Sequence, residues 1–259
     1  MNFKNLFLDL VFPRACPGCG AEIGSDNSLP ICNGCFDKII LNHSLQCHVC
    51  DLRNAGGACA NCRKKTAIKA VFAAGRYEDP ILREMIRLFK YQSVESFKKP
   101  LARLMTNCIF KENPAGGPFA GLEYPPSAGA SVHAPPVKKI FLVPVPLTLK
   151  RKIGRGFNQS ELLAEEIGKT ANLPVAGILK RKKFSRPQAE IADRNKRKEN
   201  VAGAFEINRA KLNSLPPLGE CRIILIDDVS TGGATLEECA GALKRAGAKE
   251  IYALVAAKG

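Results

Sequence analysis

The sequence predicts an α/β protein whose main body is a doubly wound, mainly parallel sheet, with a small cysteine-rich module ahead of it. Three observations predict it. Ile223 to Ile226 are four branched apolar residues in a row, and a strand with no polar face is buried on both sides, as in a parallel sheet covered by helices. Runs of this kind alternate with helical spacing through residues 67–259, the order a doubly wound sheet requires. Eight of the eleven cysteines fall within the first 62 residues, a segment too short to bury much core of its own. The expected division is therefore residues 1–66 and residues 67–259.

The cysteines form four C-x-x-C pairs: Cys16 with Cys19, Cys32 with Cys35, Cys47 with Cys50, and Cys59 with Cys62. One tight turn lets a pair grip a tetrahedral metal, and two pairs complete a four-cysteine site at the spacing of zinc ribbons. Eight thiolates predict two structural zinc ions. Gly20 follows the first pair as in a zinc knuckle, where glycine lets backbone amides approach the sulfurs. Joining the first pair to the second and the third to the fourth asks only for loops of 12 and 8 residues; a crossed arrangement is the alternative. No secretory signal precedes the pairs, so the expectation is zinc in a cytoplasmic protein rather than a disulfide framework. His48, inside the third pair, either replaces a cysteine, stands near the metal behind its ligands, or is a surface histidine. Cys108, Cys221 and Cys239 are isolated and suit core positions. The LFLDLVF stretch at residues 6–12 reads as a small amphipathic helix against this module, and no apolar run is long enough for a transmembrane segment.

Along the second part, Val71 to Tyr77 reads as a strand. Pro80 to Tyr91 reads as a helix with proline in its first turn and with Ile81, Met85, Leu88 and Phe89 on one face. Residues 111–137 hold six prolines and four glycines with no apolar period, the pattern of a flexible insertion. Ile140 to Val143 gives a short strand that ends in Pro-Val-Pro-Leu. Ser160 to Gly168 gives a helix with Leu162, Leu163 and Ile167 inward, and Ala248 to Ala256 gives the final strand.

After the apolar run at Ile223 the chain turns polar at once, with Asp227 and Asp228 where the strand should end. Ser230, Thr231, Gly232, Gly233, Ala234 and Thr235 follow as a tight loop before a helix. In open α/β sheets ligands sit beyond the carboxyl ends of the strands, and a helix N-terminus offers unpaired N–H groups to an anion. Gly232 and Gly233 allow successive amides to close around phosphate oxygens, while Thr231 and Thr235 supply hydroxyls. Two adjacent carboxylates accept from vicinal sugar hydroxyls and help hold a hydrated Mg²⁺. Thr235 with Glu238 also spells a capping box, and an acidic pair before a turn can simply solvate a strand end. A P-loop is excluded, because Leu163 stands where the first glycine before Gly168-Lys169-Thr170 belongs.

The IILIDDVSTGGAT string resembles the phosphoribosyl pyrophosphate (PRPP) motif of type I phosphoribosyltransferases. Two further segments, TLKRKIGRGFNQSELLAEE after Pro-Val-Pro-Leu and RPQAEIADRNKRKENVAGAF with Gln188, Arg197 and Asn200, resemble the ComF family, as do the N-terminal cysteine pairs. The resemblance covers nearly the whole chain, with four segments agreeing in order. It implies a double zinc ribbon joined to a phosphoribosyltransferase-like domain, an association with uptake of single-stranded DNA in natural competence, and a competence helicase as partner. It assigns Asp227 and Asp228 to the ribose hydroxyls and Ser230 to Thr235 to the 5-phosphate. Val145, Pro146 and Leu147 fall in the loop that meets pyrophosphate in such folds, with Lys150, Arg151 and Arg155 close behind. The amides of Asn158 and Gln159 either contact ligand or serve a cap or turn. There is no recognisable hood for a base, so the acceptor is not indicated.

The formal net charge of +15 implies acidic partners, whether nucleic acid, a nucleotide-like substrate or a membrane surface. Lys180 to Lys198 carries nine Lys or Arg against two acids. It reads as a lid over the site, a nucleic-acid track with Lys182, Lys183, Arg186 and Arg197 on phosphates, or a solvated face. Two classes of function follow. One is a PRPP-binding protein that handles single-stranded DNA, and the other is a Mg²⁺-dependent phosphoribosyltransferase.

Overall fold

The computed structural model describes residues 15–24, 29–42, 46–50, 52, 58–91, 94–111, 139–182 and 201–259. Four strands form one sheet: β1 (Val71–Arg76), β2 (Lys139–Pro144), β5 (Cys221–Ser230) and β6 (Glu250–Lys258), in the order β1-β6-β5-β2. Every pairing in it is parallel. β3 (Leu179–Arg181) and β4 (Phe205–Ile207) make a separate antiparallel pair.

Alternation along the strands divides the core into two layers, since successive side chains point to opposite faces. Phe72, Leu142, Ile224, Ile226 and Leu254 face one layer, together with α2 (Pro80–Tyr91), α3 (Lys98–Lys111) and α5 (Gln159–Ala171). Val71, Val143, Ile223, Leu225 and Val255 face the other, together with Phe205 and α7 (Ala234–Arg245). The remaining described elements are three short α-helices, α1 (Asn33–Phe36), α4 (Leu149–Arg155) and α6 (Arg209–Leu212), and 3-10 turns at Arg63–Lys65, Glu95–Phe97 and Leu218–Glu220. Cys108, Cys221 and Cys239 are all buried, as their isolation in the sequence suggested.

Asp79 accepts hydrogen bonds from the amides of Ile81 and Leu82 at 3.0 and 2.9 Å and so opens α2. Its buried residues are Leu82, Met85, Ile86 and Phe89. The predicted face was therefore rotated. Ile81 and Leu88 are only partly buried at the border of the core, because Ile81 reaches across to the cysteine-rich module, where it lies near Gly18.

That module is built onto the open side of β1. Leu41 bridges to Gly75 and Gln46 to Val71, both antiparallel, while the Asn42 amide donates to the Ala74 carbonyl and the Ala58 amide to that of Lys69. Cys16, Ile23, Ile31 and Phe36 join the layer formed by α2 and α3, and the Arg103 guanidinium lies 5.1 Å over the Phe36 ring. The helix expected over residues 6–12, nearly all of the 111–137 insertion, and Lys183, Arg186, Gln188, Arg197 and Asn200 lie outside the described residues.

Candidate functional site

Two four-cysteine groups close in sequential order: Cys16, Cys19, Cys32 and Cys35 in one, Cys47, Cys50, Cys59 and Cys62 in the other. The sulfurs of each group lie within 4.8 Å of one another, which excludes the crossed pairing. Cys16 and Cys32 are 3.6 Å apart, Cys19 and Cys32 3.8 Å, and Cys50 and Cys59 3.7 Å. A disulfide requires about 2.0 Å, whereas a tetrahedron with Zn–S bonds of about 2.3 Å has edges of about 3.8 Å. The donors fit two structural zinc ions.

Burial alone would raise the thiols of Cys16 and Cys47. Backbone donors, first Cys32 for the former and Cys50 for the latter, outweigh it and bring each to about 6. Hydrogen bonds shared with neighbouring sulfurs, first Cys32 and Cys59 respectively, push Cys35 and Cys62 up to about 12. Metal entering either group must displace those protons. His48 is not part of the sulfur groups.

The second constellation stands at the carboxyl end of the sheet. β5 runs further than expected, so Asp227 and Asp228 lie within the strand, with Asp227 opposite Val255 and Ser230 opposite Lys258 in the ladder with β6. Asp227 Oδ1 accepts from the Ser160 hydroxyl at 3.0 Å and from the Asp228 amide at 2.9 Å. Asp228 Oδ1 lies 2.9 Å from Lys90 Nζ, in a pair whose side chains are only 9% and 17% exposed. Burial, and then the like charge of Asp228, push the Asp227 carboxyl up to about 7 against the pull of Lys90 and the hydrogen bonds.

Beyond the acids, the Ser230 hydroxyl is buried and has no hydrogen-bond partner among the described residues. Gly233, with φ 69° and ψ −2°, caps α7 with its backbone alone, a conformation that glycine adopts without strain. The predicted capping box does not form. Glu238 accepts instead from the Gly203 amide at 2.9 Å, and no side chain caps the helix.

The loop after β2 lies beside the same strand end, with the Val145 amide donating to the Ile226 carbonyl at 3.0 Å. Pro146 and Leu147 are partly buried, and Lys150 and Arg151 follow on α4, whose N-cap is Thr148. Asn158 and Gln159 take the structural option. Asn158 caps α5 and donates to the Val145 carbonyl at 3.1 Å, while Gln159 accepts from Arg155 at 3.1 Å. Arg155 also lies 5.3 Å over the ring of Tyr91, whose exposure is 70%. Lys182 is exposed and lies 3.5 Å from Glu206.

Sequence reasoning missed Lys90, Ser160 and Arg181. Lys90 carries the one available signal, a cation in the last turn of a helix, which the dipole alone would explain. Arg181 has its pKa lowered by burial and then by Arg151, with Asp227 acting in the opposite sense, so it lies within electrostatic reach of both.

A cysteine-rich metal module on the edge of a parallel α/β sheet, with an acidic pair and a glycine loop at the end of a central strand, defines the class: a double zinc ribbon joined to a doubly wound domain. Residues 7–52 match the double zinc ribbon domain family. The chain is 27% identical to Competence protein F of Haemophilus influenzae over 238 residues, 91% of this chain and 86% of that protein. It is 35% identical to Competence protein ComFC of Bacillus subtilis over 112 residues, 43% of this chain and 41% of that protein. These similarities support the resemblance of the chain to the ComF family. No described helix is long and apolar enough to cross a membrane.

Proposed function

We propose that the protein binds PRPP at the carboxyl end of β5 and acts on single-stranded DNA during natural competence. The observation that carries the first half is the Ser230–Thr235 loop. Its buried Ser230 hydroxyl lacks a partner among the described residues, its turn is set by Gly233 in the left-handed region, and it opens α7. A buried hydroxyl without a partner costs about 1–3 kcal/mol, and a phosphate oxygen would recover it. Asp227 and Asp228 stand just before the loop, where they would accept from ribose hydroxyls. The loop from Val145 to Leu147, with Lys150, Arg151 and Arg155 behind it, would receive the pyrophosphate.

The competence role is supported by the names of the two relatives and by the net charge of +15. Single-stranded DNA would run along Lys182, Lys183, Arg186 and Arg197, with a competence helicase as the partner that delivers it. Calorimetric titration of PRPP into the full chain tests the pocket. Absence of heat or competition at millimolar PRPP would refute it.

A second reading, a Mg²⁺-dependent phosphoribosyltransferase, is favoured by the acidic pair itself. An Asp227 carboxyl pushed up to about 7 by burial and its charged neighbour is a hard oxygen donor that a divalent cation would stabilise. Mg²⁺ would supply charge neutralisation of the pyrophosphate leaving group. Pyrophosphate release from PRPP only when a base or amine acceptor is added would establish this reading, and binding without turnover would exclude it.

A further inference from the structure

The second zinc group and the glycine loop meet at one side chain. His48, between Cys47 and Cys50, is buried, and its ring lies against Gly233 so closely that a Cβ there would fall 2.4 Å from His48 Cε1. Its Nε2 lies 3.4 Å from Glu237 Oε2, one turn into α7. The same carboxylate is held from the other side of the metal group. The Thr66 hydroxyl donates to Glu237 Oε2, and the Ala67 amide to Oε1 at 2.8 Å. A residue inside the Cys47, Cys50, Cys59 and Cys62 group and the segment leading out of it thus both grip the first turn of α7. A metal that closes those four sulfurs fixes the spacing between the two grips. The first group touches neither Gly233 nor Glu237 through any such contact among the described residues; it packs on the layer formed by α2 and α3.

We propose that His48 is a positioning residue for the phosphate loop, and that metal in the second cysteine group, but not in the first, holds Ser230–Thr235 in its anion-binding form. The inference rests on the reading of that loop as the 5-phosphate site. Nothing in the spacing of the cysteines announces it, because His48 reads locally as a residue beside a metal group and Glu237 as an ordinary acid in a helix's first turn.

The test uses the full chain and two readouts, amide hydrogen exchange across Thr231–Gly233 and PRPP affinity. His48→Ala should keep its full zinc content while loop exchange accelerates and PRPP binding weakens, each roughly tenfold, the scale of removing a hydrogen bond to a charged group. His48→Gln, which can still donate to Glu237, should recover most of both. Opening the second group with Cys59→Ser and Cys62→Ser should do at least as much as His48→Ala, whereas Cys16→Ser with Cys19→Ser should leave loop exchange unchanged. Wild-type exchange rates in His48→Ala, or equal acceleration when the first group is opened, would overturn the proposal. If the cysteine variants do not fold, the comparison of His48→Ala with His48→Gln decides alone. If the wild-type chain does not bind PRPP, the ligand assignment falls, and loop exchange still decides whether His48 positions the loop.

Discussion

Replacing Lys90 with Met removes the cation that faces Asp228 while keeping the length of the side chain. Two unit charges at the observed 2.9 Å attract by about 6 kcal/mol at an effective dielectric constant near 20, and desolvation of the pair cancels a large part of it. The surviving Asp228 carboxylate would lie at the sheet end beside a second acid. We expect a loss of about 3 kcal/mol, or roughly 6–12 °C in Tm for a chain of this size. The pH dependence is the sharper measurement. Asp227 titrates at about 7 in the folded protein, above its ordinary value, so the folded state holds a proton that the unfolded chain has released between about pH 4 and pH 7. Stability from this group is full at acid pH and is lost as pH rises towards 7. Without Lys90, which lowers the Asp227 pKa, that loss extends to higher pH. The deficit of Lys90→Met relative to wild type should therefore be larger at about pH 8 than at about pH 5.5, as read by urea unfolding at both. An equal deficit, or a larger one at the acid end, would refute the assignment of Lys90 as the counter-ion of the acidic pair.

Asp227→Asn removes the carboxyl whose ionisation burdens the fold, so the decline of Tm between about pH 5.5 and pH 8 should flatten while PRPP affinity falls; an unchanged slope would place the titration elsewhere. Gly233→Ala puts a Cβ 2.4 Å from His48 Cε1 at φ +69°, so it should cost about 2 kcal/mol and weaken PRPP binding, as measured by thermal melts and calorimetry. Purified protein should contain about two zinc ions per chain by elemental analysis, each group contributing on the order of 10 kcal/mol of metal-coupled folding; chelation that releases no zinc and changes no spectrum would contradict this. Changing Lys182, Lys183, Arg186 and Arg197 to Glu should weaken single-stranded DNA binding for all sequences and lower the slope of log affinity against log salt by roughly 0.7 for each phosphate no longer neutralised. An unchanged slope would reduce that segment to a solvated face.

What could be read along the chain was whatever one segment carries by itself. The run from Ile223 to Ile226 is a buried strand because both of its faces are apolar, and the C-x-x-C pairs are ligand turns because two thiols at that spacing suit one metal. Gly233 likewise stood out because only a residue without a side chain suits its turn. Lys90, Ser160 and His48 escaped for the opposite reason. Each has an adequate local explanation, as a helix-end cation, a first-turn serine or a residue beside a metal group, and makes its contacts near the end of β5 only when distant segments converge there. The capping box failed on the same ground. Glu238 was drawn to the Gly203 amide, and the glycine backbone closed the turn without help from Thr235. The rotated face of α2 shows that periodicity finds an amphipathic helix more reliably than it finds which neighbour the helix will meet.

Leu41 and Gln46 pair with the free side of β1, and the residues that hold them there belong to the cysteine-rich module. Unfolding the module by stripping the metal would therefore bare a row of peptide N–H and C=O groups along a strand whose Val71 to Ala74 are apolar and buried. Such an edge invites a second chain to add its own strand. A metal that keeps the module folded would therefore also keep that edge covered, and chelation should promote self-association, which light scattering would read.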